Sequence, residues 1–173
     1  MIKLVLNKEI AGSILDVGGG GEGIIGRLYQ NQVIAIDNRQ EELDESPDGF
    51  EKILMDATDL QFEADHFDHI TFFFSLMFMC PEEQKKAIRE AARVLKSGGS
   101  LHIWDCSILS AYPEPFCVDV EVQMPSETVT TTYGVGKLDG QSSSSILEMC
   151  ILAGLKCVHQ EEQNEYFHFK LQK

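Results

Sequence analysis

Basic residues are scarce in this chain of 173 residues: 14 Lys and Arg stand against 28 Asp and Glu, a formal net charge of −14. A surface of that sign repels nucleic-acid phosphates and anionic lipid, so a nucleic-acid partner is disfavoured. Paired cysteines are missing too. Cys80, Cys106, Cys117, Cys150 and Cys157 are odd in number and show no C-x-x-C spacing, which excludes a disulfide framework and a zinc ribbon and leaves free thiols suited to a reducing cytoplasm. The longest apolar run, Ile70 to Cys80, falls well short of the ~20 residues of a membrane span. The opening Met-Ile-Lys-Leu-Val-Leu meets charge too soon for a signal peptide. His66 and His69 flank the amino end of one apolar run, His102 lies within another, and His159 and His168 belong to the last runs of the chain, so no metal site or catalytic triad is written in their spacing. The expectation is one cytoplasmic domain spanning residues 1–173, with no membrane contact.

Glycine, by contrast, is concentrated: five of the fourteen lie between Gly18 and Gly23, directly after the apolar run Ile14-Leu-Asp-Val17. A strand, a glycine loop and then a helix over Glu22 to Tyr29 bring backbone close to a nucleotide-like ligand. Strands at Val33 to Asp37, Lys52 to Asp56, Asp68 to Phe74 and Leu101 to Asp105 follow, each apolar run closing near an acid or aromatic. Between them come a short helix at Asn38 to Leu43 and a longer one opening on Pro81 and stopping at Lys96-Ser-Gly-Gly99. Strands alternating with helices in this way predict a doubly wound α/β sheet. After the fifth strand, Cys117 to Gln123 and Thr128 to Tyr133 read as a β-hairpin insertion. A helix over Ser142 to Ala153 and two strands, Leu155 to Gln160 and Tyr166 to Gln172, complete the chain and bring the sheet to seven strands.

Gly18-x-Gly20-x-x-Gly23 satisfies a dinucleotide fingerprint, and Asp37 lies where an acid would hold a ribose. Asp16 argues against a dinucleotide, because it sets a negative charge where the pyrophosphate would lie. The runs Ile14-Leu-Asp-Val-Gly-Gly-Gly20, Ile34-Ala-Ile-Asp37, Met55-Asp-Ala-Thr-Asp-Leu-Gln-Phe62 and Ala92-Arg-Val-Leu-Lys-Ser-Gly-Gly-Ser-Leu101 together resemble the class I S-adenosylmethionine-dependent methyltransferases over residues 13–106. The resemblance implies a Rossmann-like, mainly parallel sheet with S-adenosylmethionine as cofactor and S-adenosylhomocysteine as product. It implies that Asp16, Gly18, Gly19 and Gly20 face the methionine part, Asp37 the ribose, and Asn38, Asp56 and Ala57 the adenine. Phe73 and Phe74 would lie against the cofactor from the other side. One departure stands out: the family's third glycine is Glu22 here, with glycine at Gly23 instead.

Residues past the fourth strand, Met77, Phe78 and Cys80, are candidates to line the pocket of a small-molecule acceptor. Asp105, ending the fifth strand, is the candidate general base. The insertion at residues 112–136 is expected to form a lid, a homodimer contact, or both. Two other readings compete: an NAD(P)-dependent oxidoreductase using the same glycines, and a non-catalytic module that binds the cofactor or a partner protein.

Overall fold

The computed structural model describes residues 1–109 and 112–173. The strands are β1 (Ile2–Val5), β2 (Ile14–Val17), β3 (Val33–Asp37), β4 (Glu51–Leu54), β5 (Phe67–Phe73), β6 (Leu95–Cys106), β7 (Phe116–Gln123), β8 (Thr128–Val135), β9 (Lys156–Gln163) and β10 (Tyr166–Gln172). The helices are α1 (Ile24–Tyr29), α2 (Gln40–Glu45), α3 (Pro81–Val94) and α4 (Ser143–Leu152). Seven strands form the main sheet in the order β4-β3-β2-β5-β6-β10-β9. The first five run parallel and β10 enters antiparallel between β6 and β9, giving the α/β, mainly parallel architecture that the strand and helix alternation predicts.

The central strands read as uninterrupted apolar runs because both of their faces are covered. On one face α3 and α4 lay Ala87, Ile88, Ala91, Ile146 and Cys150 against Leu101, Ile103, Phe167 and Phe169. On the other, Ile24, Ile25 and Leu28 of α1 pack with Ile14, Val33 and Phe74. Part of that second face is covered by a small sheet rather than a helix, ordered β1-β7-β8, whose Leu4, Val120 and Val122 join the same core. No helix among the described residues is long and apolar enough to cross a membrane.

Several local expectations shift. The first strand of the chain is β1, which pairs in parallel with β7. Four residues of which only Leu4 is buried carry too short a pattern to announce a strand, so it emerges only from that distant partner. Helix α1 starts at Ile24 rather than Glu22, since Gly23 takes a left-handed φ of 56° at its cap. Lys96 to Gly99 is not a helix stop. α3 closes when the Leu95 N–H donates to the Ala91 carbonyl, and the glycines continue into β6, where the Gly98 N–H donates to the Lys173 carbonyl at 3.0 Å. The strand at Asp68 to Phe74 starts one residue earlier, where β5 pairs with Leu95.

Phe72 is fully buried in β5, so Phe72→Ala is expected to cost ~3–5 kcal/mol in urea unfolding. Val5→Ala, at a position 67% exposed, should change stability by less than ~0.5 kcal/mol.

Candidate active site

The carboxyl ends of β2, β3, β4 and β5 and the loops that follow them enclose a cleft of roughly 700 Å³, the size of a small-molecule site. At Gly18, φ is +73° and a Cβ would come to 2.5 Å from that of Ser75; at Gly19 it would strike the Asp16 carboxylate. Glycine is therefore required by packing before any ligand is considered. The loop's N–H groups are largely spent inside the protein: Gly18 and Gly19 both donate to the Ile36 carbonyl, at 2.8 and 3.0 Å, Gly21 donates to Glu42 and Gly23 to Gly20. What the glycines offer a ligand is room rather than a set of donors.

Asp16 is only 2% exposed. Burial pushes its carboxyl up to about 7, against the pull of the Thr71 hydroxyl and with a smaller push from the Asp37 charge. Thr71 Oγ1 donates to Asp16 Oδ1 at 2.7 Å. On β3, Asp37 Oδ1 accepts from the Arg39 N–H at 3.0 Å, while its other oxygen lies beside Gly20. Past β4, Asp56 Oδ1 accepts from both the N–H and the hydroxyl of Thr58, each at 2.8 Å. Asn38 and Ala57 sit next to these two acids in the cleft wall. Phe73 and Phe74 close the opposite side, and Phe74 holds a φ of 50°, a strained conformation of the kind that collects at functional sites. The structure thus gathers Asp16, Gly18, Gly19, Gly20, Asp37, Asn38, Asp56, Ala57, Phe73 and Phe74 around one cleft.

Of the acceptor candidates only Phe78 lines it. Met77 is buried in the core beneath, and Cys80 caps α3, its N–H donating to the Glu83 carboxylate at 2.7 Å. Asp105 is also misplaced as a base at the cleft: it is fully buried and is not part of the cleft wall. Its Oδ1 accepts from the Cys106 N–H and Gln141 Nε2 at 2.7 and 2.8 Å, and its Oδ2 from the Met77 N–H at 3.1 Å. Burial raises its carboxyl to about 6 despite these donors. Asp105 therefore positions the loop after β5.

Sequence reasoning passed over several wall residues. Tyr133 of β8 stacks on Phe74, with centroids 5.0 Å apart and planes 5° off parallel, and Thr132, Gly134, Met79 and Glu83 complete that end. Glu22 accepts from the Thr131 hydroxyl, so the residue that replaces the family's third glycine grips the hairpin. Arg27 ties the same two segments, donating to the Glu22 carbonyl at 2.7 Å and pairing with Glu127 at 2.9 Å. The wall carries Asp16, Glu22, Asp37, Glu42, Asp56 and Glu83 against Arg39 alone, a field that favours a cation. A second cavity of roughly 790 Å³ opens at the amino ends of the strands, but its wall holds one acid, Glu51, and no glycine loop. Chemistry rather than size picks the first.

Residues 15–103 match the family model described as a methyltransferase domain. The chain belongs to that family. No curated protein matches this methyltransferase significantly. Among solved structures, an S-adenosylmethionine-dependent methyltransferase of Methanosarcina mazei superposes with a TM-score of 0.68 at 18% identity, over 95% of this chain and 94% of that one. One from Mesorhizobium loti gives 0.67 at 15% identity, over 95% and 93%, and a protein of Pyrococcus horikoshii 0.69 at 16%, over 95% and 84%. At these identities the likeness establishes the Rossmann-like fold.

The raised Asp16 carboxyl carries a pH signature. Its folded value, about 7, exceeds the unfolded 3.8, so the native state binds the extra proton, and the stability this confers is full below the unfolded value and lost as pH rises through the folded one. Thermal melts of the ligand-free methyltransferase from about pH 4.5 to 8 should show Asp16→Asn gaining on the wild type as pH rises. A difference that stays constant across the range would show that Asp16 does not titrate there.

Proposed function

We propose that this methyltransferase moves a methyl group from S-adenosylmethionine to a small-molecule acceptor held beneath the β7–β8 hairpin. The observation that carries the reading is the buried, singly hydrogen-bonded Asp16 in a cleft whose wall is anionic. Such a group calls for a cation, and it argues against the oxidoreductase reading, which would place a pyrophosphate in the same field. The cleft fits the cofactor in other respects. Asp37 and Asp56 each commit one oxygen to their own loops, Asn38 and Ala57 lie beside them, and Phe73 and Phe74 supply an apolar face.

When bound, S-adenosylmethionine supplies a methyl group on a positively charged sulfur and leaves as S-adenosylhomocysteine. The chain's own work is alignment and exclusion of water. Asp16 holds positive charge at the end of β2, Asp37 fixes the ribose end, and Tyr133 and Phe74 bound the far end as a stacked pair. Phe78, Met79 and Glu83 lie at that end, where an acceptor with an apolar body and a polar head would be held for in-line displacement. A side-chain base is needed only for acceptors that must lose a proton, so the retirement of Asp105 leaves the reading intact. The hairpin acts as the lid, and five free thiols accord with a cytoplasmic setting. Similar folds carry different acceptor specificities, since one solved neighbour is described as a possible histamine N-methyltransferase and another as a glycopeptide N-methyltransferase. The acceptor is therefore argued from the cleft.

S-Adenosylhomocysteine should raise the melting temperature and NADH should not; stabilisation by NADH alone would end this reading. Asp37→Ala should weaken S-adenosylhomocysteine binding ~10- to 100-fold, the loss expected for a hydrogen bond to a charged group. Incubation of a metabolite extract with methyl-labelled cofactor should yield a labelled small molecule. Tyr133→Ala should lower that labelling by at least ~10-fold while leaving S-adenosylhomocysteine affinity within about threefold. An unchanged labelling rate would remove the hairpin from the acceptor site.

A further inference from the structure

The sheet assembles a group that no spacing in the sequence announces. β9 and β10 pair antiparallel with His168 opposite Glu161, and His159 stands two residues before Glu161 on the same strand. Because side chains alternate along a strand, all three project from one face. Their ligand atoms lie within 4.8 Å of one another. A tetrahedral ion with bonds of ~2.1 Å spaces its donors ~3.4 Å apart, so the set must close by at most about 1.4 Å. His159 and Glu161 are exposed and have rotamer freedom to do so.

The third member is held in place. The His168 ring lies flat on Trp104, with centroids 4.5 Å apart and planes 3° off parallel, in the register that pairs these two residues across β10 and β6. Its Nε2 is buried and has no hydrogen-bond partner. A buried ring nitrogen without a partner is costly, and it is the kind of group that an ion or a bound water satisfies. The His102 ring packs at 5.8 Å from His168, and Lys170, opposite both His159 and His102 in the ladder, sets one positive charge on the same face. Glu161 offsets it, so the ligand set suits a cation bound chiefly through nitrogen rather than a hard, oxygen-seeking one.

We propose that His159, Glu161 and His168 form a binding site for a first-row divalent transition-metal ion of the zinc class, away from the methyl-transfer cleft. Two imidazoles and one carboxylate leave a fourth position open to water. An ion there ties the exposed edge strand β9 to β10.

The test uses the 173-residue chain, free of metal, and its single tryptophan, Trp104, as the reporter. Titration with Co(II) should quench its fluorescence with saturation at one equivalent, and Zn(II) should reverse the quench. His159→Ala and Glu161→Gln, both at exposed positions that the fold tolerates, should each raise the half-saturating concentration by at least ~10-fold. Cys117→Ser and Cys157→Ser should leave the curve as in the wild type. The same half-saturation in H159A and E161Q as in the wild type overturns the proposal, as does loss of the quench in either cysteine variant, which would place the ion on a thiol.

Discussion

A carboxylate stripped of water at the end of an interior strand constrains everything near it. β2 is flanked by β3 and β5, and the two registers set Asp16 level with Ala35 on one side and Thr71 on the other. Thr71 supplies one hydrogen bond, worth ~1.5–3 kcal/mol to a charged group, whereas burial of an ion costs several kcal/mol. Desolvation wins, as the raised carboxyl records. Gly19 lacks a side chain because one would occupy the carboxylate's place, and Ser75 seals the far side by donating to the Val17 carbonyl at 2.7 Å. The glycine loop is thus shaped by the acid before any ligand is considered.

The sequence made the sheet and one wall of the cleft legible because both are written locally. Runs such as Ile14 to Val17 and Val33 to Asp37 declare buried strands by composition, and the acids that close them fall at carboxyl ends, where open sheets bind ligands. The remainder depends on contacts between distant residues. Asp105 ends a strand in the expected way, yet Gln141, 36 residues on, and Met77 claim its oxygens. Met77 and Phe78 are neighbours in one apolar run, and only the turn that follows Ser75 sends the first inward and the second to the cleft. The proximity of His159, Glu161 and His168 is owed to the register of β9 against β10, which composition leaves free. β1 is the plainest case, since its residues acquire strand character only by lying beside β7.

The hairpin shows how a departure from a family motif can be structural in origin. A glycine at position 22 would leave the Thr131 hydroxyl without its carboxylate. With glutamate there, the same short segment that ends the glycine loop also anchors the hairpin, and Arg27, one turn into α1, adds the pair with Glu127. On its inner side β7 is held by Val120 and Val122 in the core, and on its outer edge by β1. The hairpin is therefore a wing of the main core fastened near the cleft by polar contacts at the surface. Exposed ion pairs are worth little singly, so those contacts set the position of the hairpin while its apolar strand sets its stability.

The two ends of the second sheet face are joined by rings. Tyr133 stacks on Phe74, Phe74 meets Phe73 edge-on at 5.0 Å, Phe73 lies 5.8 Å from Trp104, and Trp104 carries His168. Packed rings of this kind transmit displacement only where an element has two arrangements available, and the left-handed φ of Phe74 marks the one link in the row whose backbone is held against its preference. Tyr133 rests on that residue. The hairpin therefore bears directly on the strained link, and Trp104, two rings along the row, carries His168 at its far end.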